Sequence, residues 1–349
     1  MRATSLGAAA AMVMAGVVAA SATGAGAGTG PTRPAAPAAA SMLVRLAAEV
    51  QSRLATLAAA REPPLVPPTP TPVAWRAAKL GSLELGAPLL AMVGEDMNDD
   101  GTWELYAVTT AAVVVIALPR GKKPHEVGRV AFGGSVAVPQ PRDPLGSAFI
   151  EHGIVVASAS PWTTEVRVGA VDGRPAPIAP LVGAGLAVCP GERRALVPGR
   201  NYYGDDRGAA LFAVQCRDDL VDRDGARLHV RAALAAGGKL GVMLQRCHGS
   251  ACAASEAFEY PGVGMAFAIA DIDTDGTPEV IVAGAGAPGD ADAVRVIALG
   301  GSARRPLYQH AFNGGIAALA VVGGLGKGPT AIAAVRLAGA TRVDLWRLD

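Results

Sequence analysis

Aromatic residues make up only 4% of the 349 positions, and histidine occurs five times. A core this poor in rings must be filled by Ala, Gly and small branched side chains. That suits backbones packed closely together, as in stacked sheets, better than a wide helical core. No sign of charge dominates either: 31 Lys and Arg against 30 Asp and Glu leave a formal +1. With no basic run carrying interleaved aromatics, nucleic acid is excluded as a partner. Catalytic signatures are also missing. There is no G-x-S-x-G elbow, no H-E-x-x-H, no Walker loop and no G-x-G-x-x-G after a strand. The histidines (His125, His152, His229, His248, His310) are scattered, and Gly284-Ala285-Gly286-Ala287 reads as a turn between strands. Trp75, Trp103, Trp162 and Trp346 are spread along the chain and suggest no sugar platform.

Cysteine is scarce, with four residues, a count that fits a disulfide framework in an oxidising compartment. Four cysteines allow three pairings. The local pairs Cys189–Cys216 and Cys247–Cys252 are expected because they close the shortest loops. The rival, a metal cluster with His248, lacks any familiar zinc spacing. The first 22 residues read as an export signal. Arg2 supplies positive charge, Leu6 to Ala20 the apolar stretch, and Ala20-Ser21-Ala22 the cleavage site. About 15 small apolar residues fall short of the roughly 20 that span a bilayer, which favours cleavage over retention as an anchor. No later segment is apolar enough to cross, so no membrane span is expected once the signal is removed. A secreted, periplasmic or cell-envelope location follows.

Residues 23–72 read as a Gly, Ala and Pro-rich disordered stretch, an amphipathic helix and a linker. The helix, from Ser41 to about Arg61, spaces Leu43, Leu46, Val50, Leu54 and Leu57 at helical intervals. It suits a spacer, a lid or a short coiled-coil contact. Pro67-Pro68-Thr69-Pro70-Thr71-Pro72 is extended and semi-rigid. From Val73 to Asp349 the texture becomes short β-branched runs bounded by Gly, Pro and Asp, which argues for strands. These runs repeat. Asp273 and Asp275 fall on Asp222 and Asp224, 51 residues earlier, and Ala331-Ile332-Ala333 falls on Val280-Ile281-Val282. Units of about 40 to 50 residues holding four strands are the signature of propeller blades. The expectation is an all-β propeller of about six four-stranded blades, with five or seven also compatible with the spacing. Blade starts fall near Gly86, Gly134, Gly183, Asp219, Gly262 and Gly315. The last unit ends one strand short, and Ala77 to Leu85 is expected to supply it and close the ring.

Two loops share the pattern D-x-[DN]-x-D-G-x-x-E. One runs Asp96-Met97-Asn98-Asp99-Asp100-Gly101-Thr102-Trp103-Glu104, the other Asp271-Ile272-Asp273-Thr274-Asp275-Gly276-Thr277-Pro278-Glu279. Side chains at positions 1, 3 and 5 of a tight loop converge, and Gly at 6 permits the turn. An EF-hand begins the same way but needs Glu at 12, where Ala107 and Val282 stand here. The acid at position 9, entering a strand, makes these loops resemble the calcium loops of FG-GAP and VCBS repeat propellers, the kind found in integrin α-subunits. The resemblance spans roughly Val73 to Asp349, with only two loops matching in full. It implies one Ca²⁺ held by Asp96, Asn98, Asp100, Glu104 and the Thr102 carbonyl. It implies a second held by Asp271, Asp273, Asp275, Glu279 and the Thr277 carbonyl. The loop at Asp222 and Asp224, with Leu220 and Leu228 at positions 1 and 9, should bind none. The same holds for the last unit, with Val322, Gly324 and Gly326 at the ligand positions. The implied role is a binding or adhesion-type scaffold for an extracellular or envelope protein or glycan. The alternatives are a lyase-like carbohydrate-active enzyme on such a propeller, or a purely structural envelope protein.

Overall fold

The computed structural model describes residues 76–132, 146–151, 153–159, 165–171, 174–177, 186–190, 192–194, 203–204, 210–235, 238–284, 290–300, 306–323, 325, 328–337 and 341–349. All lie in the compact unit Leu65–Asp349, and all its regular elements are strands. The signal segment, the expected helix and the Pro-rich linker lie outside the described residues.

The strand β1 (Ala77–Glu84) comes first. Blade one is an antiparallel meander of β2 (Leu89–Glu95), β3 (Glu104–Thr109), β4 (Ala112–Ala117) and β5 (His125–Ala131). Blade two repeats it with β6 (Ser147–Glu151), β7 (Ile154–Ser158), β8 (Val166–Val171) and β9 (Arg174–Pro177). A hairpin, β10 (Leu186–Cys189) with β11 (Glu192–Arg194), follows. Blade three is built on β13 (Ala210–Val221), β14 (Arg227–Ala235), β15 (Lys239–His248) and β17 (Glu256–Tyr260). Two-residue pieces, β12 (Tyr203–Gly204) and β16 (Ala251–Cys252), are added at its margins. Blade four is β18 (Phe267–Ala270), β19 (Glu279–Ala283), β20 (Asp292–Ala298) and β21 (Tyr308–Phe312). Blade five joins β22 (Ile316–Val322), β23 (Thr330–Arg336) and β24 (Arg342–Leu348) to β1.

The first strand of each blade reaches a shared axis. Ala91, Ala148, Val214, Ala266 and Ala318, one from each of five blades, line the same narrow space of about 40 Å³. Small side chains on these strands let five backbones converge, which is why an Ala-rich, ring-poor composition fits the fold. Middle strands are buried on both faces between neighbouring sheets: β3, β4 and β19 are buried at every residue. β4 therefore reads as an unbroken apolar run, and β3 and β19 as apolar runs entered by a buried Glu, while the outer β5 is mostly exposed. The core is a series of layers between adjacent blades. Leu105 and Ile332 belong to the layer between blades one and five, Tyr106 and Val155 to that between one and two, Leu240 and Val280 to that between three and four, and Ile281 and Ala333 to that between four and five.

The closing strand is where the sequence placed it. β1 pairs antiparallel with β24 from Ala77↔Leu348 to Glu84↔Arg342. Lys79 Nζ lies 2.6 Å from Asp344 Oδ2, and the Ser82 hydroxyl donates to Asp344 Oδ1 at 2.6 Å, so two of the exposed residues of β1 hold β24.

Blade number is corrected from six to five. The expected boundary near Asp219 falls inside β13, a continuous strand of 12 residues. Asp218 and Asp219 read as a turn, but a register shift between Arg217 and Leu220 absorbs them as a bulge against β14. The unit expected to begin near Gly183 contributes, among the described residues, the β10–β11 hairpin, the short β12 and the first part of β13, which runs on into the next unit. The disulfide Cys189–Cys216 fixes β10 to β13, and Cys247–Cys252 closes the tight turn between β15 and β16. Both expected pairs are present, so His248 shares no free thiol with them. Among the described residues no helix is long and apolar enough to cross a membrane.

Candidate metal loops

The two acidic loops occupy the same place in their blades, between first and second strands: 96–103 joins β2 to β3, and 271–278 joins β18 to β19. They are folded alike, bond for bond. In the first, Asp96 accepts the N–H of Asp100 at 3.1 Å and of Gly101 at 2.9 Å. Asn98 Oδ1 accepts the Asp100 N–H at 3.2 Å, and Asp100 Oδ1 the Thr102 N–H at 2.7 Å. In the second, Asp271 accepts the N–H groups of Asp275 and Gly276, each at 2.9 Å. Asp273 Oδ1 accepts Asp275 N–H at 3.1 Å, and Asp275 Oδ1 accepts Thr277 N–H at 2.7 Å. Position 4 has positive φ in both, 55° at Asp99 and 57° at Thr274, followed at position 6 by Gly101 at 80° and Gly276 at 82°. A β-branched Thr in that region is strained, and the glycine is required.

The position-2 side chains, Met97 and Ile272, are buried and anchor each loop to the core. Their N–H groups donate to the position-9 carboxylates, Met97 to Glu104 and Ile272 to Glu279 Oε2, the latter at 2.9 Å. Glu104 is 5% exposed and Glu279 1%. Burial pushes Glu104 up to about 7, with the charges of Asp100, Asp96 and Glu95 adding to the effect. Burial pushes Glu279 up to about 8, reinforced by Asp273, Asp271 and Asp275 against the Ile272 hydrogen bond. Asp271 and Asp273 are raised by the same desolvation, whereas the Thr102 N–H holds the exposed Asp100 low. Glu104 Oε2 is buried with no hydrogen-bond partner, a costly arrangement for a carboxylate oxygen.

The carboxylates of Asp271, Asp273 and Asp275 each bring an oxygen within 4.8 Å of the others, a group that can hold a metal ion. The first loop pairs Asn98 Nδ2 with Asp100 Oδ2 at 3.0 Å. The loop at Asp222 departs from this pattern. Asp222 Oδ1 is taken by the N–H groups of Asp224 at 2.9 Å and Ala226 at 2.8 Å, which closes a tight turn instead of a cage.

First-to-second-strand loops of four blades lie side by side. Arg223, in the turn between β13 and β14, donates through Nη2 to Asp275 Oδ2 at 2.7 Å and through Nε to the Asp275 carbonyl. A Cβ at Gly328, between β22 and β23, would sit 3.5 Å from Thr274 Cγ2. A Cβ at Gly323 of that same loop would lie 2.6 Å from Trp103 Cζ2, so the ring of Trp103 rests on this glycine. Sequence reasoning missed Arg223 and the Trp103–Gly323 contact, because both join loops of different blades and carry no local motif. Elsewhere, His229 Nδ1 pairs with Asp218 Oδ1 at 2.9 Å beside a cavity of about 250 Å³ next to the Cys189–Cys216 bridge. His310 packs against Phe312 and Trp346.

No family model matches the chain, and no curated protein matches it. Among solved structures, an endo-arabinase from Bacteroides thetaiotaomicron VPI-5482 is 12% identical over 76% of this chain and 96% of that one, with a TM-score of 0.40. BBS1N in complex with ARL6DN is 11% identical over 80% and 98%, also at 0.40. An S. cerevisiae structure of Dbp5 bound to Nup159 and Gle1 is 8% identical over 81% and 98%, at 0.30. At these scores the likenesses carry no weight beyond what strand order and the shared axis establish: the chain is an all-β propeller with five blades among the described residues.

Proposed function

We propose that this chain is an exported, calcium-braced propeller of the FG-GAP/VCBS kind, acting as a binding scaffold for an extracellular or envelope protein or glycan. The observation that carries the calcium reading is Glu104, whose buried, unpartnered oxygen stands beside the carboxylates of Asp96 and Asp100. A hard divalent cation supplies the missing partner, and oxygen donors at alternate loop positions are what Ca²⁺ prefers. Asp96, Asn98, Asp100, Glu104 and the Thr102 carbonyl would hold one ion. Asp271, Asp273, Asp275, Glu279 and the Thr277 carbonyl would hold the other.

The space on the axis, about 40 Å³, holds little more than a water, and ordinary small-molecule pockets run to roughly 300 Å³ or more. Recognition is accordingly assigned to the outer surface. Metal analysis of purified full-length chain, equilibrated with dilute calcium, should give close to two ions. The double variant Asp96→Ala, Asp271→Ala should give close to none. A wild-type value near zero sinks the calcium reading, and ions retained by the double variant sink the ligand assignment. Arrays of purified glycans and envelope proteins test the scaffold role, and release of cleavage products from an arrayed glycan would make the chain an enzyme instead.

A further inference from the structure

Each loop carries four acidic residues, but Asp99 stands at position 4, outside the ligand positions, so the two ligand sets differ in one unit of charge. The first offers three carboxylates and an amide, since Asn98 stands at position 3. The second offers four carboxylates, with Asp273 there. What balances the difference comes from the neighbouring blade. Arg223 Nη2 lies 2.7 Å from Asp275 Oδ2, and its Nε donates to the carbonyl of the same residue. In the first loop the matching oxygen, Asp100 Oδ2, accepts from Asn98 Nδ2 at 3.0 Å. Arg223 is also held at its backbone. A Cβ at Gly276 would come within 2.7 Å of its N and 3.2 Å of its Cα, so the turn of blade three is seated on that glycine.

We infer that Arg223 is a tethered counter-cation that offsets the fourth carboxylate of the 271–279 loop and so sets its calcium affinity from the adjacent blade. The inference rests on the calcium reading of this loop, whose footing is the converging carboxylates of Asp271, Asp273 and Asp275. Affinity in such loops follows the number of charged ligands and the rigidity of the cage. Removing a neighbouring positive charge should therefore strengthen the site, whereas removing a mere brace would weaken it. The sign of the change decides between the two roles.

The test titrates the full chain with calcium alone, in a background carrying Asp96→Ala to silence the first loop. Arg223→Ala should tighten Kd by about two- to fivefold, the scale of a largely exposed ion pair. Arg223→Lys should stay near the parent, and Asp273→Asn added to Arg223→Ala should return Kd toward it. Melting temperatures establish that each variant is folded, and Arg223→Gln replaces the alanine variant if that one is not. A weaker or unchanged Kd in folded Arg223→Ala overturns the counter-cation role while leaving the calcium reading intact. If neither the parent nor Arg223→Ala binds millimolar calcium, the calcium reading of this loop fails, and the role of Arg223 fails with it.

Discussion

At the scale of single residues, Glu104 and Glu279 connect folding to acidity. Both are raised from the ordinary 4.5, to about 7 and about 8, chiefly by burial. A carboxyl with a raised pKa binds its proton more tightly folded than unfolded. Its contribution is thus complete below the unfolded value and is lost as pH climbs through the folded one. Metal-free protein should lose thermal stability as pH rises from about 5 to about 8.5, and calcium should restore it by taking the place of the proton. Melting in chelator across that range checks this, and the double variant Glu104→Gln, Glu279→Gln should show a much flatter profile. A wild-type melting temperature that climbs over the same range would contradict the sign. The acids themselves were visible in the sequence, because their spacing is local. The orphaned oxygen of Glu104 was not, since it arises from burial by blades that the motif does not contain.

At the scale of elements, blade seams are held by small residues at fixed points. A Cβ on Gly94 of β2 would come 2.8 Å from the Val321 carbonyl of β22 and would also collide with Val322 Cγ1. Because a carbonyl in a paired strand cannot yield, Gly94→Ala should cost about 1–3 kcal/mol. Denaturant unfolding measures this, with Gly128→Ala on the outer β5 as the control. There the nearest atoms are side-chain carbons at 3.9 Å, so the cost should be small. Equal costs would mean that the first-strand seam is not the tight one. The repeat spacing made the blades legible where each holds a first-to-second-strand loop of similar length. It failed at β13, whose Asp218 and Asp219 look like a turn and are accommodated as a bulge. No local feature separates an acidic bulge from an acidic turn. The distinction lies in whether the partner strand, β14, continues past it.

At the scale of the whole molecule, the ring is shut by its own two ends. Removing residues 1–70 should leave stability nearly unchanged, whereas removing residues 1–86 also removes β1 and bares β24. An unpaired edge of that kind invites pairing between chains. Melting and sedimentation compare the two, and equal melting temperatures with both forms monomeric would disprove the role of β1. The pairing of β1 with β24 has a further consequence in time. Lys79 and Asp344, which meet in it, are 265 residues apart in sequence. Closing so long a loop costs roughly 3 kcal/mol more in chain entropy than closing a short hairpin. Contacts of high sequence separation are also the ones that slow folding. The pairing of β1 with β24 is therefore expected to form late in folding. A circular permutant that joins residue 349 to residue 76 and opens the chain between blades turns this late step into a hairpin, and should fold faster with little change in final stability.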